Sequence, residues 1–229
     1  AFKDVCSEPL ARQFTVFVFL SMLAYSAQDL ILEPFAGAVH GMSPGKTTQL
    51  SGWHHSGVLI GMLSVAGASS RWIRGRLGSV HAWMLGGCVL SAVATVGLSL
   101  STVSDFAWPL QFNVVFLGVA NGAFSIAAIA TMMRLAGDGC PGKEGTRMGL
   151  WGAAQAVAFG LGGLVGTGAS DLAHAILGDA RTAYMSVFVF QAMLFLASAL
   201  VAARMRTTTQ QDSGAQQLAP LQWPERSAV

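Results

Sequence analysis

Six apolar stretches, each of about twenty residues or more, follow one another along this chain, with most of its charges gathered in the short segments between them. A helix rising 1.5 Å per residue needs about 20 residues to cross a hydrocarbon core of about 30 Å. The stretches run over about 13–39, 48–69, 78–100, 107–136, 146–172 and 181–203. None alternates with the two-residue period of a membrane barrel strand. The expected fold is therefore an all-α membrane protein with six transmembrane helices. Composition agrees: 10% of the 229 residues are charged, against about 25% in soluble domains. A net charge of +2 offers no basic field for nucleic acid. Pro34, the segment from Gly41 to Gly45, Pro109, Pro141 and Gly178 are expected to mark helix ends.

The cations set an orientation. With the N-terminus in the cytoplasm, eleven of the thirteen Lys and Arg residues fall on the inner side: Lys3, Arg12, Arg71, Arg74, Arg76, Arg134, Lys143, Arg147, Arg204, Arg206 and Arg226. Only Lys46 and Arg181 fall outside. Cytoplasmic loops carry such an excess, so both termini are placed inside. Residues 1–206 read as one six-helix domain, and the polar stretch 207–229 reads as a mobile cytoplasmic tail. No internal sequence repeat stands out. Cys6, Cys88 and Cys140 lie far apart, with neither metal spacing nor a disulfide framework. The chain begins at Ala1, which suggests a fragment or a processed chain.

Several strings narrow the identity. They are Gln28-Asp-Leu-Ile-Leu-Glu-Pro-Phe-Ala-Gly37, Leu50-Ser-Gly52, Gly118-Val-Ala-Asn-Gly122, and Met148-Gly-Leu-Trp-Gly-Ala-Ala-Gln-Ala156 followed by Phe159-Gly-Leu-Gly-Gly163. Together they resemble the PucC/LhaA family, the bacteriochlorophyll-delivery family of the major facilitator superfamily, from Glu8 to about Arg204. That family has twelve spans in two halves, and this chain resembles the C-terminal half. The resemblance implies a multi-pass protein of the bacterial inner, photosynthetic membrane, with (bacterio)chlorophyll as cargo. It also implies light-harvesting antenna polypeptides, pigment-synthesis enzymes and the missing N-terminal half as partners. Two features depart from the family pattern. Trp53-His54-His55-Ser56-Gly57 stands where Gln-His-Gly-Gly is expected at 54–57, so His55 keeps the family histidine and His54 is additional. Around Gly67 to Arg76 the basic residues remain but the loop aspartate is missing.

Few ionisable side chains interrupt the apolar stretches. Asp29 and Glu33, four residues apart, share a face of the first helix. An ionised group at such depth costs about 3 kcal/mol or more unless paired or hydrated. They are candidates for a substrate or proton site, with a structural hydrogen bond or an interfacial position as the alternative. His54 and His55 enter the second helix at a depth comparable to Asp29. An imidazole can ligate a pigment magnesium through one nitrogen while the other is held by a carboxylate or carbonyl. His55 is expected as ligand and Asp29 as the group that orients it. Adjacent helical residues point about 100° apart, so both histidines are not expected to face one site. Gln28, Asn121 and Gln155 are further polar groups for the pigment, or for hydrogen bonds between helices. Gly118, Gly122, Gly152, Gly160, Gly162 and Gly166 fall on small-residue stripes that allow close helix packing. Arg134 and Arg147 are expected to anchor the inner face among headgroups or helix-end carbonyls.

No phosphate loop, zinc spacing or nucleophile elbow is present, and no enzymatic activity is expected. Apart from pigment magnesium through His55, no metal is expected. By resemblance, the function is binding of (bacterio)chlorophyll and assistance in light-harvesting complex assembly. The alternatives are proton-coupled secondary transport with Asp29 as proton carrier, and a ligand-free scaffold.

Overall fold

The first helix can begin at Pro9 because proline's fixed φ suits the first helical turn and its missing N–H is not needed there. The computed structural model describes residues 8–68, 79–103, 108–137, 142 and 144–218, with side chains to 205. Six helices occupy them: α1 Pro9–His40, α2 Pro44–Ala68, α3 Val80–Ser101, α4 Leu110–Gly137, α5 Glu144–Leu177 and α6 Ala180–Leu218. Among the described residues there is no strand. Helix α1 ends where Gly41 takes φ 62°, a left-handed conformation that glycine adopts without Cβ strain. There the Met42 N–H donates to the Ala36 carbonyl at 3.2 Å. Ser79 accepts from the Ala82 N–H at 3.2 Å to start α3. The exposed carboxylate of Asp179 accepts from the Thr182 N–H at 3.1 Å and hydroxyl at 2.9 Å at the head of α6. Those bonds hold its pKa below 3.8.

The helices begin and end within about five residues of the expected bounds, with two differences. Pro34 does not end a helix; α1 runs six residues beyond it. Because proline has no N–H, the Leu30 carbonyl loses its usual i+4 donor there. Helix α6 continues to Leu218, so 207–218 is helical rather than a loose tail. The Gln- and Thr-rich sequence has no proline before Pro220. The remainder of the expected tail, the loop at 69–78, and Lys3, Cys6, Cys140, Pro141 and Lys143 lie outside the described residues.

Five of the helices are long and apolar enough to cross a membrane by length and composition: α1, α3, α4, α5, and α6 over Ala180–Met205. Helix α2 has 25 residues, enough length to cross, but falls short in hydropathy. Thr47, Thr48, Gln49, Ser51, His54, His55 and Ser56 crowd its first half.

The packing repeats. Helix α1 lies on α5 and α6, α4 lies on α2 and α3, and α3 meets α6. Exchanging the first three helices for the last three reproduces this pattern, an approximate two-fold that no sequence repeat announces. Glycines set the closest approaches. A Cβ on Gly57 or Gly61 would strike the backbone carbonyl of Val115 or Val119, and one on Gly118 or Gly122 that of His54 or Val58. On the matching seam, a Cβ on Gly162 would lie 2.7 Å from the Ser26 Cβ, and one on Gly166 2.8 Å from the Ala27 carbonyl oxygen. Small residues on facing stripes let backbones touch, which is how helices gain contact energy where lipid is as apolar as the core. Gly152 and Gly160, on the other small-residue stripe of α5, have open space beside them.

Two apolar clusters fill the interior. One gathers Phe14, Phe17, Phe124, Trp151 and Phe195. The other gathers Ile31, Leu32, Phe35, Leu98, Val114 and Phe188. Between them on α1, α3 and α4 sit Gln28, Ser91 and Asn121.

Candidate functional site at the α1–α2 groove

Helix α1 reverses through a three-residue turn into α2, and the pairs across them fix an antiparallel register. Thr48 faces Glu33 at 3.5 Å, and His54 faces Gln28 at 3.3 Å. The two helices meet loosely, leaving a groove of about 590 Å³. Asp29, Leu30, Glu33, Pro34, Ser51 and His55 are among its lining residues.

The two histidines have opposite fates. His54 is fully buried, while the His55 side chain is 57% exposed at the groove. Helix α2 lies with the His54 backbone against Gly118, which turns the His54 ring into the bundle. Its Nε2 is 3.3 Å from the Gln28 amide nitrogen and 3.3 Å from that of Asn121. Asn121 also donates to Gln28 Oε1 at 3.3 Å and accepts from the Ser91 hydroxyl at 2.7 Å. With two amide N–H groups directed at it, His54 Nε2 acts as acceptor, which places the ring proton on Nδ1. That Nδ1 has no hydrogen-bond partner; the nearest carboxylate oxygen, Asp29 Oδ1, is 3.8 Å away.

His55 is fixed differently. Its Nδ1 lies 2.8 Å from the Ser51 carbonyl. A carbonyl only accepts, so Nδ1 carries the proton and Nε2 keeps its lone pair. That Nε2 is 3.8 Å from Asp29 Oδ1. This corrects the expectation in two respects. The Ser51 carbonyl, not Asp29, orients His55, and Asp29 stands on the ligating side of the ring. Both histidines also flank one point, because the Asp29 carboxylate enters the wedge between two side chains that diverge along the helix. Asp29 Oδ1, His54 and His55 offer ligand atoms within 4.8 Å of one another.

Glu33 lies one turn from Asp29 in the same groove. Gln155 is half-buried on α5 and enters none of these hydrogen bonds. Ser51, Ser91, Gly57 and Gly61 belong to the arrangement but escaped the sequence reading. Four-residue glycine spacing on α2, matching Gly118 and Gly122 on α4, was the available signal.

A second ionisable cluster sits about 30 Å along α1, at the helical rise, near its start. Arg147 is 2% exposed and grips Glu8 through Nη2 at 2.7 and 2.8 Å and Nε at 3.2 Å. Beside it Trp151 packs edge-on against Phe14, with ring centroids 5.0 Å apart. Arg147 is therefore a buried helix clamp rather than a headgroup anchor.

Comparison with known proteins places the chain. The family model described as PUCC protein matches residues 1–210. The chain is 50% identical over 201 residues to the "Bacteriochlorophyll synthase 44.5 kDa chain" of Rhodobacter capsulatus, covering 87% of this chain and 46% of that one. It is 32% identical over 172 residues to an "Uncharacterized protein in puhA-bchM intergenic region" of Rhodobacter capsulatus, 75% of this chain and 34% of that one. It is 26% identical over 160 residues to "Protein PucC" of Cereibacter sphaeroides, 69% of this chain and 33% of that one. The chain thus spans less than half the length of these curated relatives. Its apolar helices and this match make it a membrane protein, and it belongs to the PUCC protein family.

Proposed function

We propose that the protein binds (bacterio)chlorophyll in the α1–α2 groove and assists the assembly of light-harvesting complexes, without catalysing a reaction. The observation that carries this reading is His55. Its Nδ1 is committed to the Ser51 carbonyl at 2.8 Å, so its Nε2 lone pair is presented at the groove. A neutral imidazole held in that tautomer is a suitable axial ligand for a chlorin magnesium. The groove falls in the size range of small-molecule sites, about 300–1,000 Å³. A pigment leaving lipid gains little hydrophobic energy, because lipid is already apolar. Ligation by His55 and the shape of the groove therefore supply the selectivity. The family, and the words bacteriochlorophyll synthase in the name of a relative sharing half of the aligned residues, support a pigment rather than another apolar ligand.

In this reading the chain forms one half of a major-facilitator-type molecule in the photosynthetic inner membrane, with both termini cytoplasmic. The complementary six-helix half, antenna polypeptides and pigment-synthesis enzymes are its partners. The test is an absorption spectrum of the gently purified full-length protein. Pigment is expected to co-purify, and His55→Ala is expected to lower the pigment-to-protein ratio several-fold. An unchanged ratio rejects His55 as the ligand.

The position of Asp29 favours one other reading. A carboxylate 3.8 Å from two imidazoles suits proton exchange, which makes proton-coupled transport of a small solute or pigment the alternative. Uptake into vesicles driven by a pH gradient, and abolished by Asp29→Asn, supports it. Absence of uptake by the full-length protein rejects it.

A further inference from the structure

Asp29 Oδ1, His55 Nε2 and His54 Nδ1 converge at the inner wall of the groove; the first two present lone pairs, and His54 Nδ1 presents one once its proton moves to Nε2. His55 Nε2 has its lone pair free because Nδ1 is bonded to Ser51. Asp29 Oδ1 lies 3.8 Å from it and 3.8 Å from His54 Nδ1. His54 is fully buried, and its Nδ1 has no hydrogen-bond partner. These separations are too long for direct hydrogen bonds. They approach the spacing of two atoms that share a metal with bonds of about 2.0–2.2 Å.

From this geometry we infer a two-histidine, one-carboxylate site for a free divalent transition ion, Zn²⁺ being the best match, formed by Asp29, His54 and His55. Two imidazoles favour Zn²⁺ over Mg²⁺ or Ca²⁺, which prefer all-oxygen shells. The site differs from axial ligation of a pigment. A chlorin magnesium has four positions filled by the ring and cannot take three protein donors from one side. Asp29 and His55 both line the groove, so the remaining coordination position faces the groove. Glu33, one turn away, supplies a second negative charge to balance the ion.

The buried network is built to support this. When His54 ligates through Nδ1, its proton sits on Nε2 and the ring stays neutral. Rotation of both the Gln28 and Asn121 amides then presents their oxygens to that N–H, and the Ser91 hydroxyl accepts from Asn121 Nδ2 instead of donating to Oδ1, a set of outer bonds of the kind that fixes metal-bound imidazoles. Ion binding at the groove thus reaches Gln28, Asn121 and Ser91 on α1, α4 and α3. His55 serves either the ion or a pigment, so the two compete.

The test uses the full-length protein in detergent, stripped of pigment, titrated with Zn²⁺ alone and then with Co²⁺ in millimolar Mg²⁺. One ion per chain is expected, with visible Co²⁺ bands of a nitrogen and oxygen site. His55→Ala and Asp29→Asn are each expected to weaken binding at least about tenfold. Asp171→Asn, which alters an exposed carboxylate near His174 on α5, is expected to leave it unchanged. Absence of stoichiometric binding overturns the inference. So does binding that survives both groove variants, or that is lost with Asp171→Asn. Zn²⁺ failing to bind a protein that still carries pigment through His55 sinks this inference and leaves the pigment reading standing.

Discussion

Among the described residues, two groups of ionisable side chains stand toward opposite ends of α1, and they differ in how closely they are paired. At the start of α1, Arg147 and Glu8 form three contacts of 2.7–3.2 Å, charge matched to charge. At the groove, Asp29 stands 3.8 Å from two imidazoles and completes no bond with either. The first group pairs charge with charge within the protein, so its role is to hold α1 against α5. The second keeps a lone pair and a carboxylate oxygen available beside a groove of about 590 Å³. An interior polar group left short of partners costs stability, and a place where that cost persists is where a ligand is expected to act.

The contrast makes its strongest claim about Arg147. Arg147→Ala leaves Glu8 without its partner. Removing one member of a buried pair costs about 3–5 kcal/mol, and Glu8 is 35% exposed, so a loss of about 2–3 kcal/mol is expected. Thermal unfolding in detergent measures it, and a melting point equal to wild type would remove the clamp from the account. Next comes the α2–α4 seam. Gly118→Val places a side chain against the His54 carbonyl, and a loss of about 1–3 kcal/mol is expected. The same variant displaces His54, so it also reduces groove binding; full binding at reduced stability would uncouple seam from site. Asn121→Ala comes third. It leaves the Ser91 hydroxyl and Gln28 carbonyl without partners, with an expected loss of about 1–2 kcal/mol.

His55→Ala is expected to change stability by less than about 0.5 kcal/mol, because the side chain is mostly exposed, while removing groove binding. Smallest of all is the acid response at the head of α6. Asp179 has its folded pKa held below 3.8 by its bonds to Thr182. Its contribution is therefore present above that value and fades as the pH falls through the lower, folded one. Asp179→Asn should flatten that part of an acid titration of helicity.

The helices themselves were legible because membrane length and hydropathy act locally, residue by residue. Asp29 stood out for the same reason, being an acid where acids are costly. What the sequence did not disclose depends on rotation and on distance. Helix α2 has polar and glycine residues on several faces, so nothing in its own pattern says that His54 turns inward and His55 outward. That choice is made by Gly57 and Gly61 against Gly118 and Gly122, a match between helices some sixty residues apart. Glu8 and Arg147 lie 139 residues apart, and neither residue signals the other. Gly152 and Gly160 showed the proper spacing and still face open space, because a small-residue stripe says that a helix can approach, not that one does.

One paired experiment tests the division between the two groups: melting temperature and retained pigment per folded chain, measured on Arg147→Ala and His55→Ala of the full-length protein. The account predicts a crossed result. Arg147→Ala melts lower and keeps its pigment ratio, while His55→Ala melts as wild type and loses most of its pigment. Pigment falling in proportion to melting temperature in both variants would contradict it, since the groove would then be only as functional as the fold is stable.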